Sequence, residues 1–114
     1  MKEIKAFIRT EKAEETVHIL EKAGIYDLIV IDVMALGKRT DPNDLKFSME
    51  LVEKYTKVAK LELVCMDDRV HEIVEILRRS AYTGRSGDGI IYVSPVEMAI
   101  KIRTGAVGES GLEQ

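Results

Sequence analysis

An order of strand, helix and strand runs through this chain twice. Lys2 to Arg9 reads as a strand, with Ile4, Ala6 and Ile8 on one face and Phe7 on the other. Thr10 suits an N-cap, and Glu11, Glu14 and Glu15 follow it, as the positive end of a helix favours. Ala13, Val17, Leu20 and Gly24 then form a helical stripe, with Thr16, Ile19 and Ala23 beside it, and Gly24 is a natural stop. Leu28 to Met34 is apolar and largely β-branched apart from Asp32, the pattern of a central strand buried on both faces. The second half repeats the order. Val58 to Cys65 alternates, and Asp67 or Asp68 can cap a helix striped by Val70, Ile73, Val74, Leu77 and Ala81. After a glycine-rich turn, Ile90 to Val93 reads as a strand. Pro95 suits the first turn of a short helix through Ile102, and residues 104–114 read as a loose tail.

Two such units, with both helices on one face of an antiparallel sheet, make the ferredoxin-like split βαβ arrangement (βαββαβ) of the α+β class. A single domain over residues 1–114 fits the length. With 17 Lys and Arg against 20 Asp and Glu, the net charge of −3 gives no field for general nucleic-acid binding. No apolar stretch reaches the roughly 18–20 residues that span a bilayer, and Met1 to Lys5 lacks the apolar run of a secretory signal. The single cysteine, Cys65, excludes an internal disulfide. The expectation is a cytoplasmic domain without membrane insertion.

The connection between the halves, Ala35 to Lys57, is longer than the roughly 12–15 residues at which structureless loops become rare. Its apolar residues Leu45, Phe47, Met49 and Leu51 alternate with polar ones, while Leu45, Met49 and Val52 also fit a helix. Such a stripe either folds back on its own domain or a sister subunit, or docks a partner.

Catalytic and metal chemistry finds little support. Gly37-Lys38-Arg39-Thr40 lacks the first glycine of a P-loop, Asp32 standing at that position. His18, His71 and Cys65 have no paired ligand spacing, so no metal site is expected. Neither histidine belongs to a recognisable nucleophile motif. Arg9 would suit the anion-binding arginine of an acylphosphatase, but the phosphate-cradling loop of those enzymes is not visible. An RRM-like RNA binder would need stacking aromatics that 2 Phe, 4 Tyr and no Trp do not supply on the matching strands.

The run Thr83-Gly84-x-x-Gly87-Asp88-Gly89, then Ile91-Tyr92-Val93, Pro95-Val96-Glu97 and Ala99-Ile100-Lys101-Ile102-Arg103-Thr104-Gly105, closely resembles the C-terminal signature of the PII signal-transduction proteins. Met1-Lys2-x-Ile4-x-Ala6-x-Ile8-Arg9 and Gly37 also match, and the resemblance extends from Lys2 to about Leu112. It implies a non-enzymatic homotrimer that binds adenine nucleotide in clefts between subunits, and it makes the long connection the family's T-loop. That loop docks on transporters, enzymes or regulators, so a regulated protein such as a membrane transporter is the implied partner.

The implied nucleotide-binding residues are Gly37, Lys38, Arg39, Gly87, Asp88, Gly89, Lys101 and Arg103 toward the phosphates. Phe7, Ile29, Leu36, Glu62 and Val64 are implied around adenine, and Leu45, Phe47, Met49 and Leu51 for docking. No cofactor is implied beyond the nucleotide ligand. The physics agrees: glycines let the backbone approach an anion closely, and turn amides can form a nest for it.

Departures from the pattern mark a divergent member. Ile90 stands where many members have a basic residue, and Lys101 where Arg is usual. Arg39 replaces a glutamine that helps hold Mg²⁺ and 2-oxoglutarate; a cation cannot stand in for an oxygen ligand. Val58, next to Lys57, aligns with the lysine that pairs with 2-oxoglutarate, and Leu51 with the uridylylated tyrosine. Neither 2-oxoglutarate sensing of the usual kind nor uridylylation is expected, and ADP or AMP should be preferred over Mg-ATP. Arg39 argues the other way if it meets a γ-phosphate. The alternative reading is a nucleotide-independent trimeric adaptor tied to a membrane transporter or metal efflux system.

Overall fold

The structure, a computed structural model, describes residues 1–35 and 56–109. Strand β1 (Lys2–Arg9) leads into helix α1 (Thr10–Lys22), then strands β2 (Ile29–Ala35) and β3 (Thr56–Cys65). A single 3-10 turn (Asp67–Arg69) opens into helix α2 (Val70–Ala81), and strand β4 (Gly89–Pro95) follows. The sheet order is β2-β3-β1-β4, antiparallel throughout. This is the expected ferredoxin-like α+β fold.

Register sorts the sheet into two faces, because successive residues of a strand point to opposite sides. Ile4 pairs with Leu63, Ala6 with Leu61 and Ile8 with Ala59, and all six are buried under the helices. Leu20 of α1 and Ile73, Leu77 and Ala81 of α2 close the core from above. The polar pair in this layer is satisfied: the Thr16 and Ser80 hydroxyls lie 3.0 Å apart, and Ser80 Oγ donates to the Ile76 carbonyl at 2.7 Å. Gly24, at φ +89°, ends α1 as expected.

Three expectations are corrected. First, Arg9 rather than Thr10 is the N-cap of α1, with no side-chain cap bond, and Met66 precedes the 3-10 turn in which Asp67 and Asp68 lie. Second, β2 is an edge strand, not a central one. Ile29 is 58% and Ile31 39% exposed, since a β-branched run reports fit to a pleated surface rather than a place in the sheet. Third, no helix runs from Pro95 to Ile102. β4 extends through Pro95, the Val96 amide donates to the Met1 carbonyl at 3.1 Å, and the chain then reverses in a short hairpin bridged at Ile100 and Val107. Lys101 N donates to Ala106 O at 2.9 Å and Gly108 N to Ala99 O at 2.9 Å. The β-branched Ile100 and Val107, which form the bridge, favour extended backbone over helix, while Ile102 lies in the turn closed by the Gly105 amide on the Lys101 carbonyl at 2.7 Å. The stretch from Thr104, expected as a tail, carries the returning arm as far as Glu109.

Leu36, Gly37, Lys38 and Arg39, expected at the nucleotide, and Leu45, Phe47, Met49 and Leu51, expected to dock a partner, lie outside the described residues. β2 and β3 do enter the two ends of the connection, since Ala35 pairs with Thr56. No helix among the described residues is long and apolar enough to cross a membrane.

Truncating the fully buried Ile73 to Ala should cost about 2–5 kcal/mol through lost transfer energy and a cavity. Urea unfolding should show this as a lowered midpoint with little change in slope.

Candidate functional site

The glycine-rich turn between α2 and β4 is built around one carboxylate. Asp88 accepts from the Thr83 amide at 2.8 Å, the Gly84 amide at 2.9 Å, the Thr83 hydroxyl, and Arg9 Nε at 3.0 Å. Arg9 also donates from Nη2 to the Ser86 carbonyl at 2.8 Å. Outside this cluster, Arg85 reaches Glu11 in the first turn of α1 at 3.0 Å. Burial pushes the Asp88 carboxyl up, but the bonds from Thr83, Arg9 and Gly84 together outweigh it and hold it well below the ordinary carboxylate range. Asp88, expected to face a nucleotide, is therefore turned into its own loop.

Gly89 is fixed by a close approach. It pairs with Ile8 at φ +108°, and a Cβ there would fall 1.7 Å from the Phe7 carbonyl oxygen. No side chain can stand at that position without moving β1.

The sheet face away from the helices adjoins this turn. By alternation it carries Glu3, Lys5 and Phe7 of β1, Lys60, Glu62 and Val64 of β3, Ile29 and Ile31 of β2, and Ile90 and Tyr92 of β4. The register brings Phe7, Ile29, Glu62 and Val64, the four described residues expected around adenine, onto this one face. Glu62 lies between Ile29 and Lys5 across the strands, and Phe7 lies between Lys60 and Ile90. The Phe7 and Tyr92 rings meet edge to face with centroids 6.2 Å apart, and Lys60 Nζ stands 5.9 Å from the Phe7 centroid. Lys60 also pairs with Glu62 at 2.7 Å, and its hydrogen bond holds the Glu62 carboxyl below its usual value. Lys60, Tyr92 and Arg9 are not among the site residues expected from the sequence. Alternation on β3 could have flagged Lys60, but Arg9 is tied to a partner 79 positions away.

Lys101 and Arg103 are not part of this cluster within one copy. They lie on the hairpin beyond Pro95, whereas the glycine turn enters β4 at Gly89. Gly89 and Pro95 are six residue steps apart along β4, roughly 20 Å at the usual rise.

Among the described residues no three His, Cys, Asp or Glu side chains gather into a metal site. Burial raises the Cys65 thiol above its usual value, which keeps it protonated and unreactive.

A carboxyl held low in the fold stabilises it above the unfolded group's value near pH 4, and that contribution drains away as pH falls below it. Asp88→Asn should therefore lower the urea midpoint at pH 7 and differ less from the parent at pH 3. An equal gap at both pH values would remove Asp88 from this linkage.

Comparison with known proteins gives a single answer. The sequence profile of the family described as Nitrogen regulatory protein P-II matches residues 1–106. A Nitrogen regulatory protein P-II of Bradyrhizobium diazoefficiens is 37% identical over 113 residues, covering 99% of this chain and 98% of its own. The nitrogen fixation nifHD region glnB-like protein 1 of Methanococcus maripaludis is 38% identical over 108 residues, covering 95% of this chain and 99% of its own. The crystal structure of Arabidopsis thaliana PII bound to citrate superimposes with a TM-score of 0.79 at 29% identity, covering 96% of this chain and 90% of that one. With the expected fold, the glycine turn and the open face all in place, this chain belongs to the P-II family of non-enzymatic signal-transduction regulators.

Proposed function

We propose that this P-II protein is a homotrimeric sensor of adenine nucleotide, with ADP or AMP preferred over Mg-ATP. The nucleotide sits between two copies and biases the connection over residues 35–57, which docks a regulated protein such as a transporter. The reading rests on one observation: Phe7, Ile29, Glu62 and Val64 share a sheet face that adjoins the glycine turn. The apolar side chains of that face, with Glu62 and Lys60 among them, can take a base with polar edges, and a tight turn of glycines lets phosphates approach the backbone.

Two further features support a shared site. Lys101 and Arg103 lie at the opposite end of β4 from the glycine turn, so one ligand meets both only if a second copy brings its hairpin across. The open face also carries Ile29, Ile31, Ile90 and Tyr92 exposed, and Ile102 on the hairpin is 100% exposed. Apolar surface of that extent calls for a subunit to cover it.

The nucleotide preference follows from Ile90. It pairs across the strands with Phe7, directly after Gly89, and offers no charge to a terminal phosphate. A charged hydrogen bond forgone is worth roughly 1.5–3 kcal/mol, or about 10- to 150-fold in affinity. The longer polyphosphate loses most. Divergence at Arg39, Val58 and Leu51 likewise supports a member without the usual 2-oxoglutarate response or uridylylation.

Calorimetry with ATP, ADP and AMP, with and without Mg²⁺ and 2-oxoglutarate, tests the reading. Binding near one nucleotide per subunit is expected, with AMP or ADP ahead of Mg-ATP. Arg103→Ala should weaken ADP binding about tenfold or more while light scattering still reports a trimer; unchanged affinity would remove Arg103 from the site. Ile90→Lys should raise ATP affinity relative to AMP by about 10-fold or more. Silence toward every nucleotide would leave an adaptor that works through its loop alone.

A further inference from the structure

The glycine turn is braced by a residue that no ligand needs to touch. Arg9 ends β1 on the side of the alternation that carries Phe7, and it is only 5% exposed. Its guanidinium bonds the Asp88 carboxylate through Nε and the Ser86 carbonyl through Nη2, so it grips the turn at two points. Asp88 in turn gathers the Thr83 amide and hydroxyl and the Gly84 amide. A carboxylate has about four lone-pair sites, and these four donors fill them. We propose that Arg9 is a positioning residue for the phosphate end of the nucleotide site: it acts through Asp88 and Ser86 to hold the 83–89 turn ready for an anion. This rests on the nucleotide reading above.

Two physical effects make the arrangement matter. The first is pre-organisation. Without the Arg9 fork, Asp88 and Ser86 lose their common tether to β1, and the turn must be ordered at the moment of binding. The second is charge. Asp88 adds a negative charge to the turn that phosphates would approach, and a like charge there opposes them. Arg9 cancels it at 3.0 Å while staying buried. Both effects bear on phosphates and neither bears on the base, which gives the proposal its signature.

The experiment compares ADP with adenosine on the full chain by calorimetry. Arg9→Met should weaken ADP about 10- to 100-fold and leave adenosine within about twofold. Arg9→Lys restores the charge beside Asp88 but not the planar two-point fork, so its ADP affinity should fall between Met and the parent. Should Arg9→Met fail to fold by circular dichroism, Arg9→Lys alone carries the comparison. The decisive arm is the background of Asp88→Asn. If Arg9 acts through Asp88, Arg9→Met should cost much less there than in the parent. An equal cost in both backgrounds, or equal losses for ADP and adenosine, would overturn the proposal.

Failure of the nucleotide reading has its own mark, a parent protein silent toward ADP. Amide exchange in nucleotide-free protein then still tests the brace. The Thr83 and Gly84 amides, both donated to Asp88, should exchange about tenfold faster in Arg9→Met. Unchanged exchange at both would overturn it.

Discussion

Strand β1 is hydrogen-bonded on both sides, to β3 from Lys2 to Arg9 and to β4 from Lys2 to Ile8. Because side chains alternate with a period of two, that double pairing decides both faces of the sheet at once. A slip of one residue would put Ile4, Ala6 and Ile8 on the open face and drive Lys5 and Phe7 under the helices. Gly89 resists such a slip. It lies so close to the Phe7 carbonyl that only a residue without a Cβ can sit opposite Ile8. The lock that seals the core therefore also sets Phe7 against Ile90 and Tyr92, and the open face inherits its geometry from the buried one.

Much of this is legible in the sequence because the relevant forces act locally. The alternation of Lys2 to Arg9 and the stripe Val70, Ile73, Leu77 and Ala81 report burial through period alone, and Gly24 marks a stop that backbone sterics require. Position within the sheet is a different matter. The apolar run of β2 reads as central, yet it forms an edge, because strand order depends on crossovers that no window of sequence contains. The hairpin after Pro95 is hidden for a related reason. Proline at a helix start and proline at a strand end look alike in sequence, and the hydrogen bond from the Val96 amide to the Met1 carbonyl, which helps decide between them, spans nearly the whole chain.

The site divides along the same line. Gly87 and Gly89 announce a tight turn from composition. The direction of Asp88 does not follow, since its partners include Arg9 across 79 positions. A short acidic side chain between two glycines suits a ligand-binding role and a structural hub equally well, and the hub contacts become visible only in the tertiary pairing. The residues expected around adenine come from resemblance, and the register then brings Phe7, Ile29, Glu62 and Val64 to one face. Lys60 joins them by standing two residues before Glu62.

For the proposed nucleotide reading, the ends of the strands set which parts of the chain lie near the glycine turn. Val58 pairs with both Arg9 and Val33, and Ala35 pairs with Thr56, so the long connection leaves the sheet at the same end as Arg9. That end is also where Gly89 enters β4. Phosphates seated at the turn would lie near the root of the connection and far from the hairpin of the same copy. Under the proposed function, a ligand there acts on a docking equilibrium only through a difference in its own affinity between the docked and free protein. A tenfold difference amounts to about 1.4 kcal/mol, comparable to one charged hydrogen bond. In the proposed nucleotide reading, making or breaking a single hydrogen bond to phosphate near Ile90 would supply it, which makes the residue after Gly89 the place where this chain's preference would be set.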